Sequence, residues 1–111
     1  MPNVMTLFKT SITGLGVCLT GAGMNYAVMF ANGGRMPVFM DACGGYDGEI
    51  IDARHICGAA ATHLVQLADC IRIGNYIYSP GDFLICAGQV LCVATAVLFI
   101  GARLVRIYRK N

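Results

Sequence analysis

The chain has 111 residues, of which 57% are hydrophobic and 13% charged, and its net charge is +2. A soluble domain of this size carries about 25% charged residues, because its surface is large for its volume. The composition therefore excludes an ordinary soluble domain and a disordered chain, and it disfavours a nucleic-acid partner. We expect an integral membrane protein.

Two long stretches without a charged residue predict two transmembrane helices. The first covers residues 10–34 and the second residues 83–102, which is 25 and 20 residues. About 20 helical residues cross a hydrocarbon core of about 30 Å. The first stretch is also compatible with a cleavable signal peptide, since Lys9 precedes it, but no A-x-A-like cleavage site follows.

Residues 35–82 are predicted to form an external loop that contains a short amphipathic helix. Pro37 disfavours helical conformation in the residue before it, so the first helix is expected to end there. A helix over about 50–73 is predicted from apolar residues at spacings of three and four, namely Ile56, Ala60, Leu64, Leu67 and Ile71. Gly74-Asn75 is expected to terminate it.

The run Ser79-Pro80-Gly81-Asp82 predicts where the second transmembrane helix begins. Ser79 suits the N-cap, Pro80 the first helical position and Asp82 the third, which is a capping box with Asp in place of Glu. Asp82 also complements the positive end of the helix dipole. The alternative is that Asp82 is a functional acid within the membrane.

The distribution of charge predicts the topology. All six acidic residues lie between the two apolar stretches, whereas all charged residues of the tail 103–111 are basic. The positive-inside rule then places both termini in the cytoplasm and the chain in the inner membrane as a multi-pass protein. We expect the tail to contact lipid headgroups through Arg103, Arg106, Arg109 and Lys110.

These predictions combine into an all-α fold. Residues 1–111 form a single membrane domain, a helical hairpin of two transmembrane helices whose external loop holds the amphipathic helix. Close packing of helices is expected from two sets of small residues, which are Gly14, Cys18 and Gly21 in the first helix and Gly81, Gly88 and Cys92 in the second. These sets either face partner helices or pack the two helices on each other.

The cysteines divide between the helices and the loop. Cys18, Cys86 and Cys92 are expected to behave as small apolar residues within the helices. In an oxidising compartment the loop cysteines allow one disulfide and leave one thiol, the three being Cys43, Cys57 and Cys70.

The residues His55, Cys57, His63 and Cys70 are the candidate metal ligands. Their spacing, H-x-C-x5-H-x6-C, is not typical of a zinc site, so we predict neither a metal nor a cofactor. No nucleophile elbow, Walker loop or HExxH motif occurs in the sequence, and no catalytic residue is assigned.

Residues 25–38 end in Asn32-Gly33-Gly34-Arg35-Met36-Pro37-Val38. This run resembles the signature of a bacterial family of small multi-pass membrane proteins of unknown function, in which an apolar helix ends in Asn-Gly-Gly-x-Met-Pro-Val. Residues 55 and 62–69 resemble the family's His…Thr-Arg-Leu…Gly-Asp block, with His63 and Ala68 at the Arg and Gly positions. Residues 78–85 are similar to its Ser-Ile-Gly-Asp opening of the last helix.

The resemblance implies a membrane location and this order of elements, and it implies no activity. Longer members of the family have further helices upstream, so we expect this chain to correspond to the later portion. In the signature itself, Asn32, Gly33 and Gly34 are expected to end the helix through left-handed conformations. Arg35 is then expected to pair with Asp69 or Asp82 and so tie the loop to both helix ends.

The expected function is that of a non-enzymatic accessory or structural subunit that packs against partner helices in a larger membrane complex. Its partners are membrane lipid and either other transmembrane subunits or further copies of itself. One alternative is a holin-like, pore-forming protein, although polar residues are few in the helices. A second alternative is a metal- or cofactor-binding membrane protein that uses His55, His63 and Cys70.

Overall fold

The structure is a computed structural model that describes residues 2–39, 49–58 and 62–111. Two long helices, α1 (Val4–Ala31) and α2 (Pro80–Lys110), dominate it. Between them lie a 3-10 turn at Val65–Leu67 and the strands β1 (Met36–Val38), β2 (His55–Cys57), β3 (Ile71–Ile73) and β4 (Tyr76–Tyr78). Both helices are long and apolar enough to cross a membrane, as the two charge-free stretches predict.

Helix α1 begins earlier and ends earlier than the sequence predicts. Asn3 is its N-cap, and the side chain of Asn3 accepts a hydrogen bond of 2.8 Å from the backbone N–H of Thr6. The helix ends at Ala31 and not at residue 34, because Gly33 and Gly34 have φ angles of +72° and +86°. Left-handed glycines directly after a helix end it, so the expected conformation is confirmed for Gly33 and Gly34, whereas Asn32, with φ of −122°, is not left-handed.

Helix α2 begins with the predicted capping box. Ser79 is the N-cap and Pro80 the first helical residue; the Ser79 hydroxyl accepts from the Asp82 backbone N–H, and the Asp82 carboxylate accepts from the Ser79 backbone N–H. The helix continues through the basic tail to Lys110, so it is longer than the predicted 83–102.

The two helices pack antiparallel along a seam of small residues. The buried positions recur every seven residues in both helices, at Leu7, Gly14, Gly21 and Val28 in α1 and at Gly81, Gly88 and Thr95 in α2. A repeat of seven corresponds to 3.5 residues per turn, which keeps one helix face turned toward its partner. A Cβ atom added at Gly14 would lie 2.9 Å from Leu91 Cβ and 3.0 Å from the Gly88 carbonyl oxygen. These glycines therefore pack α1 and α2 on each other.

The segment between the helices contains strands where the sequence predicts an amphipathic helix over 50–73. Strand β1 pairs in parallel with β2, and β3 pairs antiparallel with β4, so the all-α prediction is wrong in this segment. A continuous helix is interrupted at Leu64, whose φ of 55° is left-handed. Gly74, with φ of 60°, and Asn75 form the turn between β3 and β4 and do not terminate a helix.

Strand β1 brings distant parts of this segment together. It pairs with β2 on one side, and on the other the Asp69 backbone N–H donates to the Pro37 carbonyl at 3.1 Å. A small core forms beneath it from the buried side chains of Val28, Met36 and Ala68. This arrangement places His55 and Asp69 on either side of β1, above the ends of both helices.

Candidate functional site

The capping box of α2 is hydrogen-bonded to the facing helix through Asn25. The Ser79 hydroxyl donates to Asn25 Oδ1 at 2.7 Å, and Asn25 Nδ2 donates to Asp82 Oδ1 at 2.9 Å. Ser79 is fully buried, so its hydroxyl depends on these partners. Asn25 is 54 positions from Ser79 and 57 positions from Asp82 in the sequence, and the three side chains form one polar network at the loop end of the seam.

A second polar group lies in the loop segment beside this network. Asp52 Oδ1 accepts hydrogen bonds from the backbone N–H groups of Arg54 and His55, at 2.7 and 2.8 Å, and lies 2.9 Å from His55 Nδ1. The other ring nitrogen, His55 Nε2, is 3.8 Å from Asp69 Oδ2. His55 therefore lies between one exposed and one buried carboxylate.

The two carboxylates next to His55 differ in their proton affinity. The backbone N–H of Arg54 and then the His55 side chain stabilise the charged form and lower the pKa of Asp52. Burial and the negative charge of Asp82 raise the pKa of Asp69 to about 6, and the charge of His55 opposes this shift. Asp69 is only 8% exposed, so desolvation is the larger cause.

A cavity of about 550 Å³ lies between the helix ends and the loop segment. One face of α1 lines it with Ala22, Asn25, Tyr26 and Met29, and α2 adds Asp82 and Ile85. The loop segment contributes Met36, Arg54, His55 and Asp69. The helices thus supply most of the apolar lining together with Asn25 and Asp82, the loop segment supplies Arg54, His55 and Asp69, and we take the cavity as the candidate functional site.

Ser79, Pro80 and Asp82 form the predicted capping box, but among the described residues Arg35 does not form the predicted ion pair. Its Nε donates to the Asp52 carbonyl at 3.3 Å, and within the described ranges no ion pair joins Arg35 to Asp69 or Asp82. The side chain points toward the 52–55 turn because Arg35 precedes β1, whose partner strand follows that turn. His55, and not Arg35, is the basic group that faces Asp69.

The four candidate metal ligands do not come together. Cys57 is disulfide-bonded, and His55 contacts Asp52 and Asp69. His63 is exposed, Cys70 is a free thiol, and the part of the chain that the structure describes contains no group of three metal-ligating side chains that could hold a metal ion. Cys43, the third loop cysteine, lies outside the described residues.

The basic tail is an exposed continuation of α2. Arg103 lies over the ring of Phe99, 5.6 Å from its centroid. Together with Arg106 and Arg109 it lines a groove of about 790 Å³ that the first residues of α1 complete. The predicted contact of Arg103, Arg106, Arg109 and Lys110 with lipid headgroups stays a prediction.

Sequence reasoning missed three residues of the site, which are Asn25, Asp52 and Arg54. An Asn in an otherwise apolar run is a signal for Asn25, because an amide in such a helix needs a partner. Asp52 and Arg54 gave no comparable signal, since their positions depend on the pairing of β1 with β2.

Most of the chain matches a known protein family. Residues 3–94, which include α1, the whole loop segment and half of α2, match DUF5317, described as a family of unknown function. The chain belongs to this family. No curated protein and no solved structure is detectably similar to it.

In this member of DUF5317, the residues quoted above as a signature have structural positions. Asn32 Nδ2 donates to the Val28 carbonyl and to the His63 carbonyl, at 2.8 and 2.9 Å, and Asn32 Oδ1 accepts from the His63 backbone N–H. Met36 is 5% exposed, and Pro37 is fully buried beside Asp69. The Asn-Gly-Gly-x-Met-Pro run therefore ends α1 and attaches the loop segment above the cavity.

Proposed function

We propose that the protein is a non-enzymatic integral membrane protein that acts as a structural subunit and packs against neighbouring transmembrane helices. Of the most apolar stretch of each helix, only 17% is buried in α1 and 11% in α2. A core helix of a soluble protein is covered over most of its apolar surface, whereas these helices expose side chains such as Leu19, Phe30 and Val93. Lipid is the solvent that suits such surfaces.

The proposed topology has both termini on the cytoplasmic side of the inner membrane. The last turns of α2 carry basic residues, and all acidic residues lie between the two charge-free stretches, which is the asymmetry of the positive-inside rule. The disulfide of Cys57 supports an outer location for the loop segment, because disulfides persist in oxidising compartments.

The observation that carries the packing proposal is the position of Gln89. Its side chain is exposed on α2, and no described residue forms a hydrogen bond with its amide. Gln89 is about 10 Å into the charge-free stretch, where lipid offers no hydrogen-bond partner. A neighbouring helix that supplies a polar side chain would satisfy this amide.

A second copy of the chain is the occupant that we propose for this face. An amide carries both donors and an acceptor, so two Gln89 side chains can pair across a twofold axis. Beside Gln89 lies a shallow groove of about 340 Å³ that is lined by Cys86, Val90, Val93 and Ala94. These side chains are small enough for a helix to approach closely.

Oxidative cross-linking in native membranes tests this proposal. In a variant whose only free thiol is Cys86, we expect a disulfide-linked dimer after treatment with copper phenanthroline. The matched control moves the thiol to position 98 by Leu98→Cys, about 180° around α2 from Gln89, and is expected to give no dimer. Gln89→Leu is expected to weaken dimerisation by about 3- to 20-fold, the effect of one interhelical hydrogen bond.

Three outcomes contradict the proposal. Equal cross-linking from positions 86 and 98, or a monomer of unchanged mass in bilayer nanodiscs, would show that the Gln89 face is not an interface. Release of the folded chain from membranes by alkaline carbonate would refute membrane insertion itself.

A further inference from the structure

We infer that the cavity between the helix ends and the loop segment binds the headgroup of a phospholipid with a primary ammonium group, of the phosphoethanolamine type. This inference rests on the proposed membrane insertion and is independent of the Gln89 interface. Three properties of the cavity wall support it: a pair of carboxylates of which one is buried, a cation without an ion pair among the described residues, and apolar side chains of the two helices.

The anionic pair consists of Asp69 and Asp82, which line the same cavity. Asp69 is 8% exposed, and its nearest basic side chain, His55, is 3.8 Å away, beyond hydrogen-bonding distance. With a pKa of about 6, Asp69 is mostly ionised at neutral pH. A buried carboxylate next to another one is stabilised when a cation comes between them.

An organic ammonium fits this site better than a metal ion. Within the described ranges no three carboxylate, histidine or cysteine side chains are arranged so that they could hold a metal ion, so a metal ion would lack its usual set of ligands. A primary ammonium has three N–H donors and needs few acceptors. Asp69 and Asp82 supply carboxylate oxygens for them, and each such hydrogen bond is charge-assisted.

Arg54 supplies the complementary charge. Arg54 lines the cavity, and in the described part of the chain no carboxylate forms an ion pair with its guanidinium group. A guanidinium binds phosphate oxygens through two parallel hydrogen bonds. The wall therefore presents two anions and one free cation, which matches an ammonium joined to a phosphodiester.

The apolar side of the cavity favours a lipid over a soluble amine. Ala22, Met29 and Ile85 belong to the two helices that we propose to cross the bilayer. Tyr26 also lines the cavity and is 71% exposed, so one rim of the cavity lies on the outer surface of α1. A headgroup can enter there while its acyl chains remain against the helix.

Native mass spectrometry of the full chain with defined lipids tests this site. Dioleoyl phosphatidylethanolamine is expected to bind at one equivalent and about tenfold more tightly than the phosphatidylcholine and phosphatidylglycerol analogues, which lack N–H donors or the cation. Asp69→Asn is expected to remove this preference, and Arg54→Gln is expected to weaken the binding of all three lipids. The matched control is Glu49→Gln, because Glu49 is an exposed carboxylate that does not line the cavity, and this variant should bind the three lipids as the unaltered protein does.

Each other outcome overturns the inference. Equal affinity for the three lipids would show that the carboxylates do not bind the ammonium group. The same would follow from an unchanged lipid preference in an Asp69→Asn variant of normal thermal stability. Soluble phosphoethanolamine should bind at least tenfold more weakly than the lipid; equal binding would refute the lipid assignment. If the inserted protein shows no lipid preference, the site is wrong while the proposed function stands, and cross-linking through Cys86 tests that function separately.

Discussion

The glycine seam makes a quantitative prediction when a methyl group is added at Gly21. A Cβ atom there would lie 2.8 Å from both Ile85 N and Leu84 Cβ, and it would also meet the Gly81 carbonyl oxygen. Ordinary carbon contacts are about 3.5–4.0 Å, so the helices must separate by about 1 Å. Such overpacking costs about 1–3 kcal/mol.

Gly23 provides the matched control, because a Cβ atom added there meets nothing within 4 Å. Replacing either glycine by alanine gains about 1 kcal/mol of helix propensity, and this gain cancels between the two variants. We therefore expect Gly21→Ala to be less stable than Gly23→Ala by about 1–3 kcal/mol.

Thiol reactivity measures the opening of the seam. Cys92 is half-buried, and its Sγ donates to the Ser11 carbonyl at 3.6 Å, so it reacts fully only when the helices separate. In a background whose only free thiol is Cys92, a small membrane-permeant reagent should modify this thiol about 5- to 150-fold faster in Gly21→Ala than in Gly23→Ala. Equal rates in the two variants would refute the close packing of α1 on α2.

Three further predictions concern the loop end of the hairpin. Because the pKa of Asp69 is raised to about 6, the folded state binds more protons than the unfolded state between about pH 4 and 6. The free energy of unfolding should therefore fall by about 1–3 kcal/mol as the pH rises through this range and stay level above it. Thermal denaturation at stepped pH measures this decline in stability, and Asp69→Asn should abolish it. Ser79→Ala removes the N-cap and a partner of Asn25 and should cost about 1–2 kcal/mol, whereas Ser79→Thr should restore most of it; equal melting temperatures for both variants would contradict the capping role. Reduction of the Cys57 disulfide should cost about 2–4 kcal/mol, and dithiothreitol should have no effect on a Cys57→Ser variant that already shows the loss.

The parts of the fold that could be predicted from sequence are those specified by neighbouring residues. The absence of charge over 20 or more positions depends on composition alone, and it located both helices. The Ser79–Asp82 capping box also uses residues within one turn of each other. Local physics is sufficient in such cases.

The loop segment could not be predicted because its elements are short and depend on distant partners. Each strand has three residues, too few for a period of two to be distinguished from helical spacing. Ile56 and Ile71 looked like one helix face, but they lie in β2 and β3, which belong to different sheets. The position of Ile56 depends on the pairing of β1 with β2, and that of Ile71 on the pairing of β3 with β4.

The cavity was inaccessible to sequence reasoning for the same reason. The sequence predicts Asp82 as a cap, but the hydrogen bond of Asp82 to Asn25 joins residues 57 positions apart. Asp69 was recognised in the second resemblance block, and its burial beside β1 follows from the Pro37 contact. Arg35 was expected in the place that His55 occupies, since sequence shows which charges exist and not which of them meet.

The seam also has a consequence for biogenesis. Helix α1 is the less apolar of the two helices, and its glycines at positions 14 and 21 offer acyl chains little surface until α2 covers them. During synthesis of a chain that inserts as proposed, α1 would wait at the translocon in a weakly held state for α2 to emerge. The strongly apolar α2 would then stabilise α1 in the bilayer by packing on it. If translation stalled before position 80, α1 would lack this partner and the bilayer would retain it poorly.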